Sequence, residues 1–202
     1  MGGGRFKEHA VVSFEKGKEI LLRKQFSAFI SGLNKWVCRF MAKIPSHTAR
    51  NFILRKVLYV KMEEDVVVYS GTIMRGTYRI KIGQGTIVGD DCMLDGRGHL
   101  NIGKNCNLST GVKIWTAQHD VQSPVFAYIS APVDIKDRCW ISGGTTILPG
   151  ITVGEGCVIA SGAVVTKDCE PYGIYAGIPA KRIGERNQNL QYQFDGRHDW
   201  FL

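Results

Sequence analysis

No stretch of the 202 residues approaches the roughly 20 consecutive apolar positions that a membrane-spanning helix requires. The opening Met1 to Phe6 has no apolar core of a secretory signal, and Phe6 breaks the myristoylation pattern, so a cytoplasmic chain is expected. The six cysteines include no CxxC pair or other metal-ligand spacing. A chain this long needs no disulfide framework, so reduced thiols are expected. Acidic residues are scarce at one end only. Residues 1–61 hold 13 Lys and Arg against 3 Asp and Glu, a net of +10, whereas the remainder holds 13 against 15, a net of −2. The overall +8 belongs to the N-terminal third, and so does any argument from charge about partners. No nucleic-acid motif accompanies those cations, and no nucleic-acid partner is expected. Composition also excludes disorder as the main state, with 44% hydrophobic and 22% charged residues.

What the chain does have is glycine, 24 of them, and a period of six. Aliphatic residues stand at Ile82, Val88, Leu94, Ile102, Leu108 and Ile114, and again at Ile135, Ile141, Ile147, Val153, Ile159 and Val165. Four positions after each comes a residue that is usually small, and five of these are Cys92, Cys106, Cys139, Cys157 and Cys169. An amphipathic helix repeats every three to four residues and a hairpin strand every two, so neither gives this spacing. A triangular coil of three short strands does, with the aliphatic residue inside and the small residue as filler at the bend. Residues 82–99, 102–119, 135–152 and 153–170 read as four coils, and Val68 and Met74 suggest a less regular one before them. The echo of Ile82-Gly83 at Ile102-Gly103, twenty positions on, gives the early coils a two-residue extension.

Three segments flank or interrupt the repeat. Residues 1–62 form a basic N-terminal region, 63–170 the repeat with a loop inserted at 120–134, and 171–202 a C-terminal extension. Phe26, Phe29, Ile30, Leu33, Val37, Phe40, Met41 and Ile44 follow helical spacing, and Ser46 is a suitable N-cap for a second helix over Thr48 to Met62. Such helices either cap the open end of the repeat or lie on an anionic membrane surface. His119 closes a coil and opens onto the inserted loop. Neutral imidazole accepts a proton near pH 7, so His119 is a candidate general base, with Asp120 either orienting it or holding a turn.

The pattern resembles the hexapeptide-repeat acyltransferases. The resemblance implies a mainly β fold, a left-handed parallel β-helix with an N-terminal helical cap and a short C-terminal extension. It rests on the repeat, on Trp140-Ile141-Ser142-Gly143-Gly144, on Ala160 to Asp168, and on Ala176-Gly177-Ile178-Pro179-Ala180-Lys181-Arg182. Thr116-Ala117-Gln118-His119-Asp120 with Ser123-Pro124 and Phe126 is most similar to the colanic-acid type. By that resemblance, His119 removes the proton from a sugar or oligosaccharide hydroxyl that attacks acetyl-CoA directly, as part of polysaccharide or lipopolysaccharide synthesis. Gly143, Ser161, Thr166, Lys167, Lys181 and Arg182 would contact the CoA moiety, Asp95 would bind an acceptor hydroxyl or shape its turn, and no metal is expected. A homotrimer with sites between subunits is implied, working at the inner face of the membrane if the basic region binds lipid. Two rivals stand beside this reading, a γ-carbonic-anhydrase-like metalloenzyme on the same fold and a non-catalytic scaffold.

Overall fold

The computed structural model describes the backbone of residues 5–197 and the side chains from residue 21 on, Ser27 excepted. The Met1 to Gly4 start and the Trp200 and Phe201 end of the aromatic tail lie outside the described residues. The chain divides into two units between Val37 and Cys38. Helix α1 runs Arg5–Met41, so its last four residues, from Cys38, belong to the second unit.

Within the second unit, Ser46 caps α2 (His47–Lys56), its hydroxyl accepting from the Ala49 N–H at 3.4 Å. The helix ends earlier than its periodicity predicts, because Tyr59 turns into a left-handed conformation, φ 55°, and sends Val60 and Met62 into the core. Helix α2 closes the start of the repeat. His47 Nδ1 and Arg50 Nε bond the Val68 carbonyl, and Asn51 Nδ2 donates to the Val66 carbonyl, so backbone groups that would be an open sheet edge have partners. Burial lowers the pKa of Arg50, which Asp90 and Tyr69 partly offset.

Five coils follow. They are β1 (Lys61–Met62), β2 (Val67–Val68), β3 (Ile73–Arg75); β4 (Ile80–Ile82), β5 (Ile87–Val88), β6 (Met93–Asp95); β7 (Leu100–Ile102), β8 (Asn107–Leu108), β9 (Lys113–Ile114); then, after an excursion β10 (Ala117–His119) and β11 (Tyr128–Ser130), β12 (Val133–Ile135), β13 (Trp140–Ile141), β14 (Thr146–Ile147); and β15 (Thr152–Val153), β16 (Val158–Ile159), β17 (Val164–Val165). A sixth coil begins with a bridge from Val153 to Cys169 and β18 (Gly173–Ala176), onto which β19 (Lys181–Glu185) folds back antiparallel. Parallel pairing stacks them into face 1 (β1-β4-β7-β12-β15), face 2 (β2-β5-β8-β13-β16-β18) and face 3 (β3-β6-β9-β14-β17).

All twelve aliphatic slots are at most 3% exposed, which identifies the period-six series as the interior. Full burial of such a side chain is worth roughly 1.5–3 kcal/mol, so this column carries the stability of the solenoid. The small-residue series does more than fill bends. Thr86 Oγ1 donates to the Gly103 carbonyl, Cys106 Sγ to Lys136, Cys139 Sγ to Gly154, Thr145 Oγ1 to Ala160 and Cys157 Sγ to Glu170, each reaching the next coil. These thiols are free, and burial pushes the pKa of Cys92 up to about 11 and that of Cys169 to about 12. At neutral pH Cys92 and Cys169 are therefore protonated and poor nucleophiles.

The corner between faces 1 and 2 turns through left-handed residues, Asp65, Gly85, Asn105, Arg138, Gly156 and Tyr172, one per coil. The C-terminal tail runs down this corner, from the last coil towards the first. Arg186 N–H meets the Tyr172 carbonyl, and its Nη1 donates to the Gly156 and Arg138 carbonyls at 3.1 and 2.8 Å. Tyr192 Oη donates to Arg138, Phe194 N–H donates to Asn105 Oδ1, and Gly196 reaches Asp65. The tail thus touches all six coils, which gives Tyr192 and Phe194 a structural role that their sequence alone leaves open.

Candidate functional site

His119 ends β10, and the hairpin with β11 pairs it with Tyr128. Ser123 Oγ accepts from the Val125 and Ala127 N–H groups and tightens the tip, while Phe126 takes a left-handed φ of 52°. That turn brings the Phe126 carbonyl to 2.8 Å from His119 Nδ1 and stacks the Phe126 ring on the imidazole at 3.9 Å. A carbonyl only accepts, so Nδ1 carries a proton, and the tautomer this selects has its lone pair at Nε2. Tyr128 meets the imidazole edge-on at 6.0 Å. Asp120 does not orient the ring. Its Oδ1 accepts from the Gln122 N–H, and its own N–H donates to Ala127, so it builds the turn.

Beneath the hairpin lies a polar platform made by the two-residue extension. Asp95 is fully buried, and Arg97 grips both its oxygens, at 2.9 and 3.0 Å. Asp95 also accepts from the Thr116 N–H, and Thr116 Oγ1 in turn donates to the Asp95 carbonyl while accepting from the Gly98 N–H. Asp95 thus shapes the turn with a carboxylate already occupied, and the outward-facing group is Arg97. The Asp95 bond raises the Arg97 pKa, and the guanidinium lies 5.9 Å from the Tyr128 ring centre, joining the platform to the histidine. Arg75 on the preceding coil sits 5.6 Å from the Trp115 ring centre, and Arg79 Nη1 donates to the Arg97 carbonyl. This cationic and aromatic surround, with Arg97 and Tyr128 at its centre, is not visible in the sequence, where those residues carry no motif.

The remaining expected residues gather around β14 and β17. The corner between faces 2 and 3 stacks Gly111, Gly144 and Gly162, all with positive φ. A Cβ on Gly162 would meet nothing within 4 Å, and one on Gly144 would find only an N–H at 3.9 Å. At the corner between faces 1 and 2, by contrast, a Cβ on Gly103 or Gly154 would approach neighbouring atoms to 2.4 or 2.6 Å. At Gly144 and Gly162 the corner between faces 2 and 3 is therefore bare backbone open to solvent, whereas a Cβ on the adjacent Gly143 would meet the Thr110 carbonyl at 3.2 Å. The Gly144 N–H is used by Thr110 and the Gly143 carbonyl by the Gly162 N–H. The loop from Gly177 to Ala180 clasps Val164 on both sides, its carbonyl accepting from the Val164 N–H and Ala180 N–H donating back at 2.8 Å. This sets the exposed Lys181 and Arg182 beside that corner, with Arg182 3.9 Å from Glu185. Thr166 and Lys167 are exposed just after β17, at the corner between faces 3 and 1. His119 stands at that same corner. One protomer therefore places His119, Thr166 and Lys167 along one edge of face 3, and Gly143 and Ser161 along the other.

Residues 132–167 match the family model of the bacterial transferase hexapeptide, six repeats. A Schizosaccharomyces pombe protein named as an acetyltransferase is 41% identical over 87 residues, 42% of this chain and 42% of that protein, so the chain spans less than half of that relative. The Escherichia coli protein WcaF, named as a colanic acid biosynthesis acetyltransferase, is 29% identical over 68% of this chain and 75% of its own length. A galactoside acetyltransferase solved with coenzyme A shares the fold with a TM-score of 0.71 at 23% identity, covering 84% of this chain and 86% of that one. The period-six core, the matched repeats and the shared fold agree: residues 132–167 carry the bacterial transferase hexapeptide repeat, and the chain has the fold of a hexapeptide-repeat acetyltransferase.

Proposed function

We propose that this protein is an acetyl-CoA-dependent O-acetyltransferase acting on a sugar hydroxyl, with His119 as general base. The observation that carries the proposal is the Nδ1 to Phe126 carbonyl bond, which fixes the tautomer and leaves Nε2 basic at an exposed position. The acceptor oxygen attacks the thioester carbonyl carbon while Nε2 takes its proton. Collapse of the tetrahedral species expels the CoA thiolate, which receives that proton from the imidazolium, so an acetyl ester and free CoA leave and the enzyme is unchanged. The bare glycine corner fits the pantetheine arm, where the Gly143 N–H offers an oxyanion donor and Lys181 and Arg182 meet phosphates. Thr166 and Lys167 extend the CoA contacts by the same family likeness. The names of WcaF and the galactoside enzyme support a sugar acceptor and a place in polysaccharide synthesis.

Because His119 and Gly143 flank opposite edges of face 3, the complete site forms between neighbouring copies, in keeping with a homotrimer. An acceptor screen with acetyl-CoA over nucleotide sugars and oligosaccharides tests the function. His119→Ala is expected to lower kcat by roughly 10²–10⁴ with the KM for acetyl-CoA little changed. Unaltered transfer by that variant would remove His119 from the chemistry, transfer to no acceptor by the wild type would leave the scaffold reading in place, and a stoichiometric metal essential for activity would favour the metalloenzyme.

A further inference from the structure

We infer that the acceptor is an anionic sugar, one that carries a carboxylate or phosphate close to the hydroxyl it presents to His119, and that Arg97, Arg75 and Arg79 select it. The inference rests on the proposed role of His119 and adds the substrate class. Arg97 gives one edge of its guanidinium, Nε and Nη2, to the buried Asp95, which fixes where the group stands. Its Nη1 donates to nothing among the described residues. A guanidinium has five N–H donors, so the second edge, Nη1 with the remaining Nη2 hydrogen, is open to another oxyanion in the two-pronged geometry that carboxylates and phosphates fit.

One carboxylate does not balance the cluster. Arg75 is the register partner of Asp95 and faces the Trp115 ring, yet among the described residues its side chain makes no ion pair and no hydrogen bond. Arg79 Nη1 donates to the Arg97 carbonyl, and Arg79 likewise meets no carboxylate among the described residues. Three cations around the Asp95 carboxylate leave a local excess of positive charge in residues 62–202, whose net is −2. Asp120, the carboxylate of the hairpin, is occupied by the Gln122 N–H. The excess borders the proposed site through Tyr128, which is 52% exposed, with its ring centre 5.9 Å from Arg97 Cζ and 6.0 Å from the imidazole centre. Imidazole and guanidinium are thus no more than about 12 Å apart, so a hydroxyl at Nε2 and an oxyanion at Arg97 belong to one sugar residue or to two adjacent ones.

The test uses the full-length protein with CoA present and sets of matched acceptors, glucose, galactose and mannose against their uronic acids and their 6-phosphates. Binding is read by saturation-transfer NMR, which needs no turnover, and transfer by thiol release from acetyl-CoA. An anionic acceptor is expected to bind roughly tenfold more tightly than its neutral parent, with the difference shrinking at high salt. Arg75→Gln, which leaves the Asp95 bonds in place, should cut that preference several-fold, and Arg97→Gln should remove it, with thermal midpoints showing that each variant folds. Neutral parents that bind as well as the anionic members in every set would overturn the inference, and transfer to those parents would leave the acetyl-transfer reading standing. A preference for the anion with transfer to no acceptor would support the anionic site and count against acetyl transfer instead. If Arg75→Gln lost affinity for acetyl-CoA in step, the arginines would belong to the CoA phosphates, and if its oligomer fell apart they would belong to a contact between copies. Either result would overturn the inference.

Discussion

At the scale of single residues, six of the twelve positions four residues after an interior aliphatic, Thr86, Cys92, Cys106, Cys139, Thr145 and Cys157, donate from the side chain to the next coil. Cysteine or threonine fills seven of the twelve, both small and both carrying a hydrogen, which explains five cysteines without invoking redox chemistry. Cys157 is the sharpest instance, with Sγ 2.8 Å from the Glu170 carbonyl. Cys157→Thr should be tolerated, while the near-isosteric Cys157→Val should be about 1 kcal/mol less stable than Thr in urea unfolding. Equal stability of the two would return the position to simple filling. Much at this scale was legible in the sequence, since Ile82 or Val153 needs only its own neighbours six residues away to declare itself. Asp95 was not. Its fate is set by Arg97, two residues on, and by the Thr116 N–H on the following coil, and a carboxylate whose partners come from a neighbouring turn looks the same in sequence as a free one. His119 was legible as a candidate, but its tautomer depends on the Phe126 carbonyl, and only the turned loop tip shows that.

At the scale of elements, the coils are held to each other by short strands of two or three residues, too little pairing to resist fraying alone. The tail along the corner of faces 1 and 2 compensates. Arg186 is its anchor, joining two coils through one guanidinium and lying 5.6 Å from the Tyr192 ring centre. Arg186→Ala should cost about 2 kcal/mol, from two charge-assisted bonds to carbonyls. It should also open the segment after Glu185 to limited proteolysis before the coils are cut, and proteolysis at the wild-type rate would show that the tail holds without it. The tail was the least legible element, because its bonds go to backbone groups at left-handed corners and so impose no period on its side chains. Helix α2 was half legible. Its Ser46 start has a side-chain signature, whereas its end is a backbone reversal at Tyr59, a residue type that gives no warning of positive φ.

At the scale of the whole molecule, the proposed site is divided between two edges of face 3, and that division can be tested without a structure of the assembly. His119→Ala and Ser161→Trp are each expected to be inactive. Mixing them during refolding or co-expressing them should restore activity at about a quarter of the interfaces, those that by random pairing join an intact His119 to an intact Ser161. A mixture as inactive as its parents would mean that each protomer works with its own two edges. The tail has a consequence at this scale too. It spans five coil-to-coil steps of about 4.8 Å, roughly 24 Å, with ten residues that reach roughly 33 Å when fully extended. One more coil would lengthen the path to roughly 29 Å, which the same ten residues could cover by straightening, whereas two more would take it to about 34 Å and pull Gly196 off Asp65. The tail therefore sets a ceiling of about one added coil on the height of the repeat, beyond which the segment after Arg186 has to lengthen as well.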